Sequence, residues 1–215
     1  PGLLPPSATL PASGAWGGVV VDGDGDRIAI VDELGQVHDG DAIVGFLAGQ
    51  WQTEGRLRGE AVVGTVTSNG GLELYLRKRG LRLERSAVGD RHVAEAMGRL
   101  GSNLGGESSG HVLTPDLCPS GDAVRVALEV LRRAASLDRP LSELLGAVPR
   151  FPSTSRSVPA GHRPLLDDLP ALQEALAEAQ AALDPVGGRT LLRYSGTEPI
   201  LRVLVEGPDA DLVRA

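Results

Sequence analysis

The chain has 215 residues, 41% of them hydrophobic but only 3% aromatic, and carries a formal net charge of −7. That length holds one large domain or two ordinary ones, with Leu, Val and Ala filling the core. The acidic balance excludes broad attraction to nucleic acid or anionic membranes, so a phosphate site has to be built locally.

Cys118 is the single cysteine and cannot form an internal disulfide. A reducing, cytoplasmic setting and an idle thiol are expected. No apolar run approaches the ~20 residues of a membrane span, and the first residues lack the basic and apolar regions of a signal peptide.

Residues 1–17 are rich in Pro, Ala and Ser without a sustained period and are expected to be a loose lead-in that follows a lost upstream part. Residues 18–53 read as the end of an α/β domain. GVVV and IAIV are strands around the DGDGDR turn, and Ile43, Val44, Leu47 and Trp51 lie on a helix capped by Asp41. Residues 54–150 alternate strand and helix as a parallel α/β layer would. AVVGTV and LRLERSAV are its strands, LELYLRKRG and RHVAEAMGRL its helices. A further helix over 122–136 is expected to face inward with Val124, Ala127, Leu128 and Leu131, followed by a short one at 142–145. A Pro- and Ser-rich stretch over 151–164 opens a last α+β unit, 151–215, with a helix over 171–183, a strand over 200–205 and a helix start at Asp209. The fold class is therefore α/β: mixed α/β layers, then a C-terminal α+β domain.

Three segments carry the chemistry. In DGDGDR, Asp22, Asp24 and Asp26 alternate with glycines, and carboxylates so close repel unless a divalent cation sits among them. Arg27 adds a group able to meet a phosphate oxygen beside it. An EF-hand has similar acidic spacing, with Glu33 as its last ligand, but Arg27 stands where that loop needs Gly and both flanks are strand-like. In GGESSGH, Glu107 and Ser109 suit sugar hydroxyls, and His111 suits proton transfer near neutral pH. In RYSGTEP, Ser195, Gly196 and Thr197 form a turn able to cradle a phosphate, with Arg193 and the nearby Arg202 supplying charge. Two supporting segments are TVTSNGG, a strand-to-helix turn, and AVGDRHV, whose Asp90 and Arg91 stand at a helix start where anions bind.

In this order and spacing the segments resemble the α-D-phosphohexomutases, over roughly Gly18 to Gly207. The resemblance implies a multidomain phosphohexomutase with Mg²⁺ as cofactor. TVTSNGG, AVGDRHV and the doubled glycine of GGESSGH resemble the hexosamine branch. That branch interconverts glucosamine 6-phosphate and glucosamine 1-phosphate through a hexosamine bisphosphate, feeding UDP-N-acetylglucosamine and peptidoglycan synthesis. Carried over, Asp22, Asp24 and Asp26 bind the metal, and Arg27, Arg91 and His111 are candidate catalytic groups. Glu107, Ser109 and His111 contact the sugar, while Arg193, Ser195, Gly196, Thr197 and Arg202 grip the phosphate that does not react. The family's phosphoserine belongs to an upstream domain; no segment here matches its motif, and Ser7 and Ser13 are not substitutes, so the chain alone is expected to be inactive. Tyr194 departs from the proline many relatives carry. A mannose- or glucose-phosphate mutase of the same superfamily and a non-catalytic phosphosugar- or metal-binding module are the alternatives.

Overall fold

A computed structural model describes residues 10–196 and 198–214. The chain divides into a first unit ending at Pro149 and a second beginning at Arg150. The first unit starts with a short helix, α1 (Leu10–Ser13), and an antiparallel meander of β1 (Gly17–Val21), β2 (Ile28–Asp32) and β3 (Val37–His38). β3 has too few residues to show a period. It is held by Asp32, whose Oδ1 accepts the Leu34 and Gln36 N–H groups and whose Oδ2 lies 2.8 Å from Nε2 of the buried His38.

Helix α2 (Gly40–Thr53) follows, capped by Asp39 and not by Asp41: the Asp39 side chain accepts the N–H groups of Asp41 and Ala42. The Asp41 side chain turns into the interior instead. Next come β4 (Val62–Thr65), α3 (Gly70–Lys78), β5 (Leu83–Ser86), α4 (Asp90–Leu100), β6 (Gly105–Gly106), β7 (Val112–Leu113), α5 (Ala123–Leu137) and α6 (Leu141–Gly146). Their sheet runs β5-β4-β6-β7, parallel between β5, β4 and β6 and antiparallel between β6 and β7. The expected parallel layer thus ends in a hairpin whose turn is the ESSGH segment.

One core joins residues on both sides of Thr53. Ile43, Phe46, Leu47 and Trp51 of α2 pack in a single cluster with Ile28 and Ile30 of β2, Leu72 and Leu76 of α3, and Leu141 and Leu145 of α6. No packing boundary therefore falls between 53 and 54. Helix α5 faces inward with Ala123, Val126, Ala127, Val130 and Ala134, while Val124 and Leu128 are 56% and 62% exposed. The inward stripe differs from the expected one because it includes Glu129 and Arg133, which apolar periodicity cannot register.

The second unit holds β8 (Ser153–Pro159), α7 (Pro170–Leu183), β9 (Arg189–Tyr194), β10 (Ile200–Glu206) and α8 (Ala210–Arg214). The strands form an antiparallel sheet in the order β8-β10-β9, with α7 against β9. β8 occupies the stretch that composition reads as a linker; it is an exposed, polar edge strand without alternating hydrophobicity. Among the described residues no helix is long and apolar enough to cross a membrane.

A buried ionic cluster pins the end of α2 to α5. Arg133 lies 2.5 Å from Glu129 and 2.6 Å from Glu54, and Glu129 also accepts from the Trp51 indole at 3.1 Å. Burial disfavours the Glu129 carboxylate, but Arg133, Arg56 and Arg132 outweigh that and hold its pKa below the ordinary value. Removing one partner of such a pair strands the other. Arg133→Met is expected to destabilise the first unit by about 3 kcal/mol in urea denaturation, and adding Glu129→Gln should recover part of that loss.

Candidate functional site

The DGDGDR loop joins β1 to β2, and its three carboxylates do different things. Asp22 turns back on the loop: its Oδ1 accepts the N–H groups of Gly25, Asp26 and Arg27 at 3.1–3.3 Å. Desolvation works against its ionisation, yet these donors prevail and lower its pKa. Asp24 is exposed at the loop tip. Asp26 points inward, with Oδ2 3.1 Å from His111 Nδ1 and Oδ1 buried without a partner among the described residues. The expected convergence of all three is not present: no group of three or more His, Cys, Asp or Glu side chains among the described residues is placed to hold a metal. The physical reason is the turn itself, which uses Asp22 to satisfy loop backbone. The donor set still fits a hard divalent cation, since all of it is carboxylate oxygen and Asp26 keeps one oxygen uncommitted.

The GGESSGH turn closes on this loop. Ile28 N–H donates to Gly110 O at 3.1 Å, and Arg27 and His111 form an isolated antiparallel bridge. Within the turn, Glu107 N–H donates to His111 O and Gly110 N–H to Glu107 O. His111 is thereby buried, its ring between Asp26 and Gly121. A third segment seals the arrangement, for Ala123 N–H donates to Gly25 O at 3.0 Å. Ser109 is exposed, and Glu107 Oε1 accepts the Gly89 N–H at 2.8 Å. Arg91 does not turn toward these loops; it is exposed and pairs along α4 with Glu95 at 2.8 Å. Glu33, the last ligand of the rejected EF-hand, accepts Ser142 N–H at the start of α6.

The TVTSNGG turn is fixed from outside. Asn69 caps α3, and its own N–H donates to Asp41 Oδ2 at 2.8 Å. Arg85 donates to the carbonyls of Thr65 and Ser68. Burial pushes the Asp41 carboxyl up to about 6, against the lowering effect of the Asn69 bond.

In the second unit, Arg193 and Arg202 are directly opposite on β9 and β10, so both guanidinium groups leave the same face of the sheet. Arg202 pairs with Glu198 at 2.7 Å, while Arg193 has no partner among the described residues. Ser195 is buried, donating its N–H to Ile200 O and accepting the Glu198 N–H at Oγ. Gly196 is exposed, and Thr197 lies outside the described residues. Tyr194 leaves the opposite face: its hydroxyl donates to Pro164 O at 3.0 Å, and Arg163 beside its ring donates to Glu198 O at 2.8 Å. Composition gave no sign of the contacts that Arg163, Gly121 and Asp41 make with Glu198, His111 and Asn69, because these form only once the chain has folded.

Known proteins share this fold. The phosphoglucomutase/phosphomannomutase α/β/α domain III matches residues 39–151, and the C-terminal domain of the same family matches 156–215. A phosphoglucosamine mutase of Maricaulis maris is 48% identical over 92% of this chain and 44% of its own length; one of Sphingopyxis alaskensis is 47% identical over 98% and 46%. The chain thus spans less than half the length of these relatives. Among solved structures, a phosphoglucomutase/phosphomannomutase family protein of Burkholderia thailandensis superposes with a TM-score of 0.75 at 25% identity, over 96% of this chain and 46% of that one. Aspergillus fumigatus N-acetylphosphoglucosamine mutase, solved with GlcNAc-6P and magnesium, gives 0.76 at 23% identity, over 92% and 50%.

Two outcomes follow from the packing. A carboxyl whose folded pKa is raised gives up stability as pH climbs from its ordinary 3.8 to about 6. Asp41→Asn, whose amide oxygen still accepts the Asn69 N–H, should therefore flatten that fall and stabilise the chain at pH 7 by at most about 3 kcal/mol, read from urea denaturation across pH 4–7. At Gly121 an added Cβ would lie 2.6 Å from His111 Cε1 and Nε2. Gly121→Ala should cost about 1–3 kcal/mol and change the His111 imidazole nitrogen shifts in NMR as the ring leaves Asp26. From the two domain matches and the fold that carries these loops, this chain belongs to the phosphoglucomutase/phosphomannomutase family.

Proposed function

We propose that this chain is the metal-, sugar- and phosphate-binding part of a phosphoglucosamine mutase, which interconverts glucosamine 6-phosphate and glucosamine 1-phosphate through a bisphosphate. The observation that carries the reading is the closure of the DGDGDR loop on the GGESSGH turn through Asp26 and His111, 3.1 Å apart. It joins the residues expected to handle the metal to those expected to handle the sugar. The names of the 44–48% identical relatives support the hexosamine substrate.

Asp22, Asp24 and Asp26 would hold Mg²⁺, with the free Asp26 Oδ1 as the readiest oxygen. Bound there, the cation neutralises charge on a phosphoryl group in transfer. Arg27 adds positive charge on the solvent side of the loop. Glu107 and Ser109 would accept from and donate to the sugar. The burial of His111 and its contact with Asp26 favour an orienting role for the imidazole over proton transfer. Arg91 would have to leave Glu95 to reach a phosphate. Arg193, Arg202 and the Ser195–Gly196–Thr197 turn would hold the distal phosphate, two guanidinium groups on one sheet face offering charge-assisted bonds. A cytoplasmic location fits the phosphorylated substrate and the single cysteine. The phosphoryl-carrying serine implied by the resemblance has no counterpart among the 215 residues, so binding without turnover is expected of this chain alone.

Calorimetric titration with Mg²⁺ present tests the reading. Glucosamine 6-phosphate should bind in preference to glucose 6-phosphate and mannose 6-phosphate. Arg193→Ala should weaken all three by roughly tenfold to a hundredfold, the worth of a charged hydrogen bond, and Glu107→Ala should reduce the preference. Equal binding of the three sugars would reduce the assignment to the family, and no binding would refute the ligand site.

A further inference from the structure

We propose that Gly89 is the positioning residue that sets the sugar selectivity of Glu107, an inference that rests on the function proposed above. The two are 18 residues apart, and Gly89 N–H donates to Glu107 Oε1 at 2.8 Å. Gly89 is the residue before α4 and has φ 124° and ψ 134°, a conformation that side-chain-bearing residues rarely adopt. No side chain at this position caps α4, and the Gly89 N–H just before this 11-residue helix is the amide that meets the turn. The Glu107 carboxylate supplies the negative charge that this end of the helix favours.

The requirement at Gly89 is conformational and not steric. A Cβ built there meets nothing closer than His92 Cδ2 at 3.6 Å, an ordinary contact. What alanine would disturb is the backbone angle, and with it the direction of the N–H. Glu107 has a long side chain, and one hydrogen bond to a fixed amide removes most of its freedom before any ligand arrives. Oε1 is then committed, while Oε2 has no partner among the described residues and is left to accept from a hydroxyl or ammonium of the sugar. A carboxylate held in place discriminates between donors in a way that a freely rotating one does not, because the ordering cost has already been met.

The test compares the unaltered chain with Gly89→Ala, Glu107→Ala and the double variant, titrating each with glucosamine 6-phosphate and with inorganic phosphate. Gly89→Ala is expected to lose about tenfold in glucosamine 6-phosphate affinity, the scale of one charged hydrogen bond, while inorganic phosphate affinity stays unchanged. The double variant should bind no more weakly than Glu107→Ala alone. Unchanged sugar affinity in Gly89→Ala, an equal loss for inorganic phosphate, or losses that multiply in the double variant would each overturn the inference. Should Gly89→Ala not fold, Glu107→Asp takes its place: its carboxylate is one methylene short of the Gly89 amide, so it should show the same loss, and wild-type affinity would overturn the proposal. Failure of the unaltered chain to bind any phosphosugar would overturn the functional reading together with this one. Selective binding that is indifferent to Gly89 would overturn this one alone.

Discussion

The burial of helix α2 is the constraint on which the first unit depends. Every residue from Gly40 to Gly49 is buried, as is Trp51, so this helix has no solvent face over its first ten residues and its position admits little adjustment. Three features of the site hang from it. At its start, Gly40 N–H donates to Ser108 O in the ESSGH turn. One residue later Asp41 reaches the Asn69 turn, and near its end Trp51 meets the ionic cluster on α5. A shift of α2 would therefore move the ESSGH turn, the start of α3 and the seat of α5 together.

The site loops owe their shape to hydrogen bonds that satisfy their own backbone. Loop 22–27 is closed by Asp22 on its own amides, the 107–111 turn by its own main chain, and the two are joined by the Ile28–Gly110 bond. Such closure leaves Asp24, Arg27 and Ser109 exposed at the surface and buries the Asp26–His111 contact beneath them. Rigid support below and free polar groups above is an arrangement suited to a charged ligand, since the cost of ordering the loops is met during folding.

How far the residues foretold this varies with the kind of information. Helices α2, α4 and α7 were legible because three- and four-residue periods persist over many residues, and the three glycine-rich loops stood out by residue type and spacing. β3, β6 and β7 have two residues each and can show no period, while β8 is polar on both faces. The face of α5 was misread because Glu129 and Arg133 lie inward as a charged pair. Contacts such as Gly89 with Glu107 or Asp41 with Asn69 exist only after the chain has folded, and nothing in local composition announces them. Asp22 shows the converse: its type marked it as a metal ligand, but the fold also uses it as a turn residue.

The opposition of Arg193 and Arg202 would couple the second unit's stability to the phosphate proposed to bind there. Like charges directly across two strands weaken a sheet, and only Arg202 has a carboxylate beside it. An anion seated between the guanidinium groups removes that repulsion, so occupancy and folding are thermodynamically linked. At a hundredfold excess over its dissociation constant a phosphorylated ligand would add about 2.7 kcal/mol to the unit's stability. A three-stranded sheet with one helix against β9 is a small structure, so a contribution of that size from the proposed ligand would be a large share of its stability.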